Sequence, residues 1–270
     1  MVAAGGVRDR DHLWGEEFQN DRLTAVAGAA LDNAMTQTFS YTGREELEQL
    51  LLMPGYNRHI AELCLAATLP GQTLLDFGAG TGTISALVRD RAQAAKIWCV
   101  EIDAANVAVL KSQGFDVLTE VAQAPPSTVD VIYSSNVLEH IEDDVAKLGE
   151  LRRCLKPGGR AVFWVPAFPC LWTAMDDRVG HCRRYTRSTL ETAFRRAGFD
   201  VERCLYQDTL GFFVALLYRA IGSREGRLSA TPLRIYDTVV FPASRLCDVA
   251  CSRLLGKNVV IYARKPRTAA

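Results

Sequence analysis

An apolar run, Leu74-Leu75, ends at Asp76 and passes at once into Phe77-Gly78-Ala79-Gly80-Thr81-Gly82-Thr83. That order of residues suits a strand that stops, a tight turn through alternate glycines, and a helix from about Ile84 to Ala92. The glycines let the backbone turn sharply and let a ligand come close to the main chain. The helix behind them offers unpaired N–H groups and a positive dipole end. Such a junction is a cradle for a nucleotide cofactor, and the spacing narrows which one. A dinucleotide loop spaces its glycines G-x-G-x-x-G, whereas here they fall as G-x-G-x-G directly behind an acid. A phosphate-binding P-loop is excluded because no Gly-Lys-Ser/Thr follows.

The strand–helix rhythm continues along the chain. Thr73–Phe77, Lys96–Glu101, Phe115–Leu118, Val129–Ser134, Arg160–Val165, Phe199–Gln207 and a last run from Lys257 read as seven strands. Val107–Gln113, Asp143–Leu155 and Thr186–Ala197 read as helices between them, the last capped by Thr186 or Ser188 and ended by Gly198. Upstream, Thr24–Met35 and Arg44–Leu52 read as helices, the second stopped near Pro54-Gly55, and Tyr56–Thr68 follows. Alternation of this kind predicts a parallel sheet with helices on both faces and ligands beyond the carboxyl ends of the strands. With 270 residues, 49% of them hydrophobic, the chain can build one large α/β domain. Eight cysteines are scattered singly with no C-x-x-C, so neither a zinc nor a disulfide framework is indicated.

Further motifs carry a resemblance. Glu101 ends the second strand 19 residues after Gly82, where a carboxylate can accept from ribose hydroxyls. Asn136-Val-Leu-Glu139-His140-Ile follows the fourth strand, and Leu155-Lys-Pro157-Gly158-Gly159 reverses the chain into the fifth. With the Asp76 loop, these runs resemble the class I S-adenosylmethionine-dependent methyltransferases. Val165-Pro-Ala, Asp176 and Gly180-His181-Cys-Arg183-Arg184-Tyr185-Thr186 are similar to an uncharacterised bacterial subgroup of them. The resemblance spans roughly residues 55 to 265. It implies an α/β, Rossmann-like doubly wound sheet of seven strands, the last antiparallel, with S-adenosyl-L-methionine as cofactor. Asp76, Gly78, Ala79, Gly80, Gly82, Glu101, Ile102, Glu120, Ser135 and Asn136 are the positions it assigns to cofactor binding. Tyr56 is a candidate contact for the ligands, or else a packing residue.

The stretch from Val165 to Thr186 crowds prolines, acids, bases and aromatics, as an ordered loop beside a site does. His181 is its only side chain with an ordinary pKa near neutrality and is the candidate general base for an acceptor hydroxyl. His140 is the second catalytic candidate; Glu139 and His140 either serve the chemistry or orient the loop. Trp172, Arg183, Arg184 and Tyr185 are candidate acceptor contacts. Alternatively, Asp176 or Asp177 pairs with the arginines and rigidifies the loop. Some members of the superfamily hold a divalent ion through E-x-x-E-H and a later His. Asn136 stands here at the first of those positions, which leaves Glu139, His140 and His181 incomplete, and no metal is expected.

Three segments are expected: 1–45, an N-terminal segment disordered in part; 46–207 with 257–270, the methyltransferase core; and 208–256, a helical cap between strands six and seven. The cap is apolar but its first helix, about thirteen residues, is too short to span a bilayer. It fits a lipid-linked acceptor with peripheral membrane contact, a homodimer face, or a core of its own. Lys+Arg and Asp+Glu both number 31, so no global field favours nucleic acid. The N-terminus has no apolar h-region, and cytoplasmic residence is expected. The activity expected is methylation of a small molecule, O-methylation of a saccharide, natural product or lipid-linked intermediate. The rivals are a methyltransferase for tRNA or protein, and a catalytically silent, cofactor-binding partner subunit.

Overall fold

The computed structural model describes residues 52–221 and 230–267. The expected helix at Thr24–Met35, nearly all of that at Arg44–Leu52, and the expected disorder of the N-terminal segment lie outside the described residues. Strands β1 (Thr73–Phe77), β2 (Lys96–Val100), β3 (Asp116–Leu118), β4 (Val129–Ser135), β5 (Leu155–Pro166), β6 (Asp200–Gln207) and β7 (Asn258–Arg264) form one sheet. Its order is β3-β2-β1-β4-β5-β7-β6. All neighbours are parallel except β7, which is antiparallel to both β5 and β6. The class I methyltransferase topology expected from the motifs is therefore present.

Both faces of the sheet are covered, and period-two alternation divides the core. Leu75, Ile132, Phe163 and Ile261 face one cluster with Leu148 and Leu151 of α4 (Asp144–Cys154) and Leu190 and Phe194 of α6 (Arg187–Arg196). Leu74, Tyr133, Trp164 and Val260 face the other, with Tyr56 and Ile60 of α1 (Pro54–Leu65), Val88 of α2 (Thr83–Ala92) and Leu110 of α3 (Ala104–Ser112). Strands buried on both sides read as continuous apolar runs, which is why they were visible in the sequence. The chain runs outward from β1 through β2 to β3, then returns to β4 on the other side of β1. This is the switch point where α/β folds place ligands.

Several boundaries differ from the sequence reading. Pro54 opens α1 as its first residue, two residues before the expected start at Tyr56, at a position where a missing N–H costs nothing. The Lys156-Pro157-Gly158-Gly159 turn belongs to an extended β5 that begins at Leu155, with Gly158 left-handed at φ +79°. The loop after β5 is more regular than expected. It contains a 3-10 turn (Pro169–Leu171) and a short helix α5 (Ala174–Val179), closed by left-handed Gly180.

Between β6 and β7 lie α7 (Thr209–Ile221), α8 (Ala230–Ile235), a π-helical turn (Tyr236–Val240) and α9 (Phe241–Cys251). Buried acids fasten this cap through helix N-termini. At α7, Asp248 accepts from the backbone N–H of Asp208 (2.9 Å) and Thr209 (2.8 Å) and from the Thr209 hydroxyl (2.6 Å). Ser244 accepts from Leu210 N–H at 2.8 Å and Asp208 from Gly211 N–H at 3.1 Å. At α1, where Met53 has no capping side chain, Asp237 accepts from Gly55 N–H (2.9 Å) and Tyr56 N–H (2.7 Å). The orphan donors of two helices are thus satisfied from elements far along the chain.

Candidate active site

The cofactor loop joins β1 to α2 with three left-handed glycines, Gly78 (φ +76°), Gly80 (+54°) and Gly82 (+84°). A Cβ on Gly78 would overlap Val137, and one on Gly82 would lie 2.8 Å from Leu110. Gly78 and Ala79 donate their N–H groups to the Val100 carbonyl, which ties the loop to the end of β2. Glu101 stands beside it, 8% exposed. Its Oε2 accepts from Gly80 N–H at 2.7 Å, and its Oε1 from Ile102 and Asp103 N–H, both at 2.8 Å. Burial raises its pKa and these three backbone donors pull it part of the way back. A carboxylate offers about four lone-pair sites, so Oε2, with one bond, is the oxygen left for a ribose hydroxyl. The loop and the acid fit the ribose end of S-adenosylmethionine.

Around them, Ile102 is 57% exposed and Glu120 is exposed at the head of a 3-10 turn. Ser134 donates to the Phe77 carbonyl at 2.7 Å, locking the ends of β4 and β1 together. Next come half-buried Ser135 and Asn136, hydrogen-bonded to each other at 3.1 Å. Asn136 is left-handed at φ +54°, a conformation that asparagine tolerates better than most residues. Asp76 points into the protein. Its carboxylate accepts from Ser85 Oγ at 2.7 Å, which also meets Tyr133 Oη at 2.8 Å. Burial pushes Asp76 up to about 7, against the Ser85 bond and with help from the Glu101 charge.

Two residues past Val137, the chain enters a second buried cluster. Glu139 is fully buried and neither carboxylate oxygen has a hydrogen-bond partner. Burial pushes it up to about 8, although its own backbone N–H and then the Arg184 charge pull downward. His140 and His181 meet edge to face with ring centres 4.7 Å apart. Burial and the neighbouring His181 bring His140 down to about 4. His181 Nδ1 lies 2.7 Å from Asp176 Oδ1, and its Nε2 lies 3.7 Å from Glu139 Oε1. Arg184 grips the same Asp176 with Nε (2.7 Å) and Nη2 (3.0 Å). Burial alone would raise Asp176; the bonds from His181 and Arg184, with the arginine's charge, overcome it and hold the acid well below the carboxylate range. The loops are laced by Cys182 N–H donating to the Glu139 carbonyl at 2.7 Å.

The sequence pattern grouped these residues and offered Asp176 or Asp177 as partners of the arginines; the first of those pairings is present and the others differ. Arg184 is engaged by Asp176, and Arg183 by Asp144 Oδ2 at 2.8 Å and the Glu142 carbonyl at 2.7 Å. Tyr185 is 2% exposed and donates to Asp144 at 2.9 Å. Trp172 donates Nε1–H to Asp177 at 2.9 Å, its ring 6.4 Å from His181. Tyr56 is 4% exposed, and its hydroxyl receives bonds from Trp164 Nε1 (3.2 Å) and Asn258 Nδ2 (2.9 Å). Asp176 as the partner of His181 and Asp144 as the partner of Arg183 and Tyr185 were not identified from sequence. The available signal was an acid five residues before His181 and another at the start of α4.

Fold and site together define a nucleotide-cofactor transferase. The family model described as a methyltransferase domain matches residues 51–203, more than half of the chain, and the chain belongs to that family. It is an S-adenosylmethionine-dependent methyltransferase. A Mycolicibacterium smegmatis protein described as a probable S-adenosylmethionine-dependent methyltransferase is 27% identical over 82% of this chain and 88% of its own length. The malonyl-[acyl-carrier protein] O-methyltransferase of Serratia marcescens is 31% identical over 37% of this chain and 41% of its own. In fold, the chain is similar to the methyltransferase partner of the Haloferax volcanii Trm112 activator. The TM-score is 0.57, at 17% identity over 79% of this chain and 92% of that one.

Proposed function

We propose that this chain moves the methyl group of S-adenosylmethionine to a hydroxyl oxygen of a small molecule, of the saccharide, natural-product or lipid-linked kind. The observation that carries the reading is His181. Its Nδ1 is held by Asp176, and its loop is hydrogen-bonded, Cys182 N–H to the Glu139 carbonyl, to the segment after β4 whose Val137 lies against Gly78 of the cofactor cradle. A histidine whose Nδ1–H is fixed by a carboxylate presents Nε2 as an acceptor, which is the form needed to take a hydroxyl proton. Bound S-adenosylmethionine supplies a methyl group on a positive sulfonium; the protein's part is to align the acceptor and exclude water.

Glu101 and the glycine loop hold the ribose, with Ile102 as an apolar wall beside the adenine and Glu120, Ser135 and Asn136 bordering the cradle. His140 shares the acceptor end with His181, and Trp172 borders it. We assign Arg183, Arg184, Tyr185 and Tyr56 to positioning, since each already has partners within the protein. The O-methyltransferase relative supports an oxygen acceptor. The apolar side chains exposed on the cap, Phe213, Leu217, Leu246 and Val249 among them, support an acceptor with a lipid part.

The test is formation of S-adenosylhomocysteine on incubation with S-adenosylmethionine and a panel of hydroxylated acceptors. Turnover is expected with a hydroxyl compound, and His181→Ala should lower kcat by roughly 10²–10⁴ at unchanged donor affinity. Normal turnover in that variant would dismiss His181 as the base. Transfer to tRNA or protein alone would dismiss the small-molecule reading.

A further inference from the structure

The geometry points to a divalent transition-metal site made by Glu139, His140 and His181, which rests on the reading of this loop as the acceptor end but on no particular acceptor. One ligand atom from each of the three lies within 4.8 Å of those of the others. Glu139 supplies the independent observation: it is fully buried, and neither of its oxygens has a hydrogen-bond partner. A carboxyl group removed from water without a hydrogen bond is costly, and such a group is otherwise found neutralised, hydrogen-bonded or on a metal ion. The nearby guanidinium of Arg184 is bound to Asp176 by two hydrogen bonds.

The two imidazoles are oriented as ligands are. Asp176 holds His181 at Nδ1 and leaves Nε2 facing Glu139. Arg184 and the backbone N–H of Thr173 (2.8 Å) hold Asp176 in turn. A carboxylate behind a histidine in this way fixes the tautomer and raises the basicity of the ligating nitrogen. The His140 ring is hydrogen-bonded to the backbone at Val179 and Gly180. Two imidazoles and one carboxylate suit zinc, manganese or iron(II), not the all-oxygen preference of magnesium or calcium. Ligand bonds of about 2.0–2.2 Å would draw the three side chains closer than they now stand. Three protein ligands leave a position for water or for an acceptor oxygen. An ion on Nε2 would occupy the lone pair that otherwise takes the proton, so acidifying the acceptor hydroxyl would pass from imidazole to metal, the hydroxyl proton going to solvent.

The full-length protein, stripped with a chelator, is titrated with Co²⁺ followed by visible absorption and with Zn²⁺ by calorimetry. Binding of S-adenosylhomocysteine to the same samples reports a folded donor site. One ion per chain is expected, with affinity at least about tenfold weaker in Glu139→Gln and in His140→Asn while both still bind S-adenosylhomocysteine. If Glu139→Gln fails to fold, His140→Asn decides, because that ring is only partly buried. No ion on the intact chain, or equal affinity in chain and folded variant, overturns the site. Failure of the methyltransferase reading looks different: the intact chain would not bind S-adenosylhomocysteine.

Discussion

Glu101 spends three hydrogen bonds on backbone N–H groups, of Gly80 in the loop and of Ile102 and Asp103 beside it, before any ligand arrives. It is therefore a prepared and rigid acceptor. Replacing it with Gln removes the charge and makes one of its two acceptor positions a donor. Donor-site affinity for S-adenosylhomocysteine should fall by about 1.5–3 kcal/mol, roughly ten- to a hundredfold, by calorimetry near neutral pH. An unchanged isotherm would remove Glu101 from the cofactor site. Asp76 makes a different prediction. Its folded-state pKa of about 7 lies above the unfolded value, so its contribution is complete below about pH 4 and is lost as pH rises through 7. Asp76→Asn should not show that loss, so the wild type should fall relative to the variant between pH 4 and 7 in urea melts. Parallel curves would count against it. The two acids also mark what could be read beforehand. Asp76 and the glycines sit at fixed spacing because one strand end and one turn dictate them, and Glu101 directly follows the next strand. His140, Asp176 and His181 meet only because two loops fold over each other, and no local period records that.

At the scale of elements, the strands were legible because burial on both faces leaves an apolar run. The helix starts were less so. Pro54-Gly55 carries the composition of a stop, yet it begins α1, because Asp237 provides from outside the cap that Met53 cannot. The same device seats α7 on Asp248. The π-helical turn had no signature beyond Pro242 just after it. Asp248→Ala would leave the N–H groups of Asp208 and Thr209, both buried, without partners. At about 1–3 kcal/mol for each unsatisfied donor, global stability should drop by roughly 3 kcal/mol. Amide exchange at Asp208 to Gly211 should accelerate before that of β5 or β7. Exchange rising uniformly through the sheet would mean that the cap and core do not open separately.

For the whole molecule, equal numbers of basic and acidic residues leave no long-range field. The arginines after His181 do not change this, since Arg183 and Arg184 already face Asp144 and Asp176. Filter binding to bulk tRNA at low salt should accordingly show no retention that salt removes. Tight binding with a steep salt slope would reopen the RNA reading. Among the described residues no helix is long and apolar enough to cross a membrane.

The bond between Asp237 and Gly55 joins positions 182 residues apart. A ribosome making about 5–20 residues per second needs on the order of ten to forty seconds to travel that far. During that interval α1 has emerged without the acid that closes its first turn, and Tyr56, Trp164 and Phe241 cannot yet stack together. The cofactor side of the sheet is then unfinished in time as well as in space. Synthesis has to reach the penultimate helix before one of the earliest can settle, so a message truncated within the cap would yield a chain flawed near its beginning.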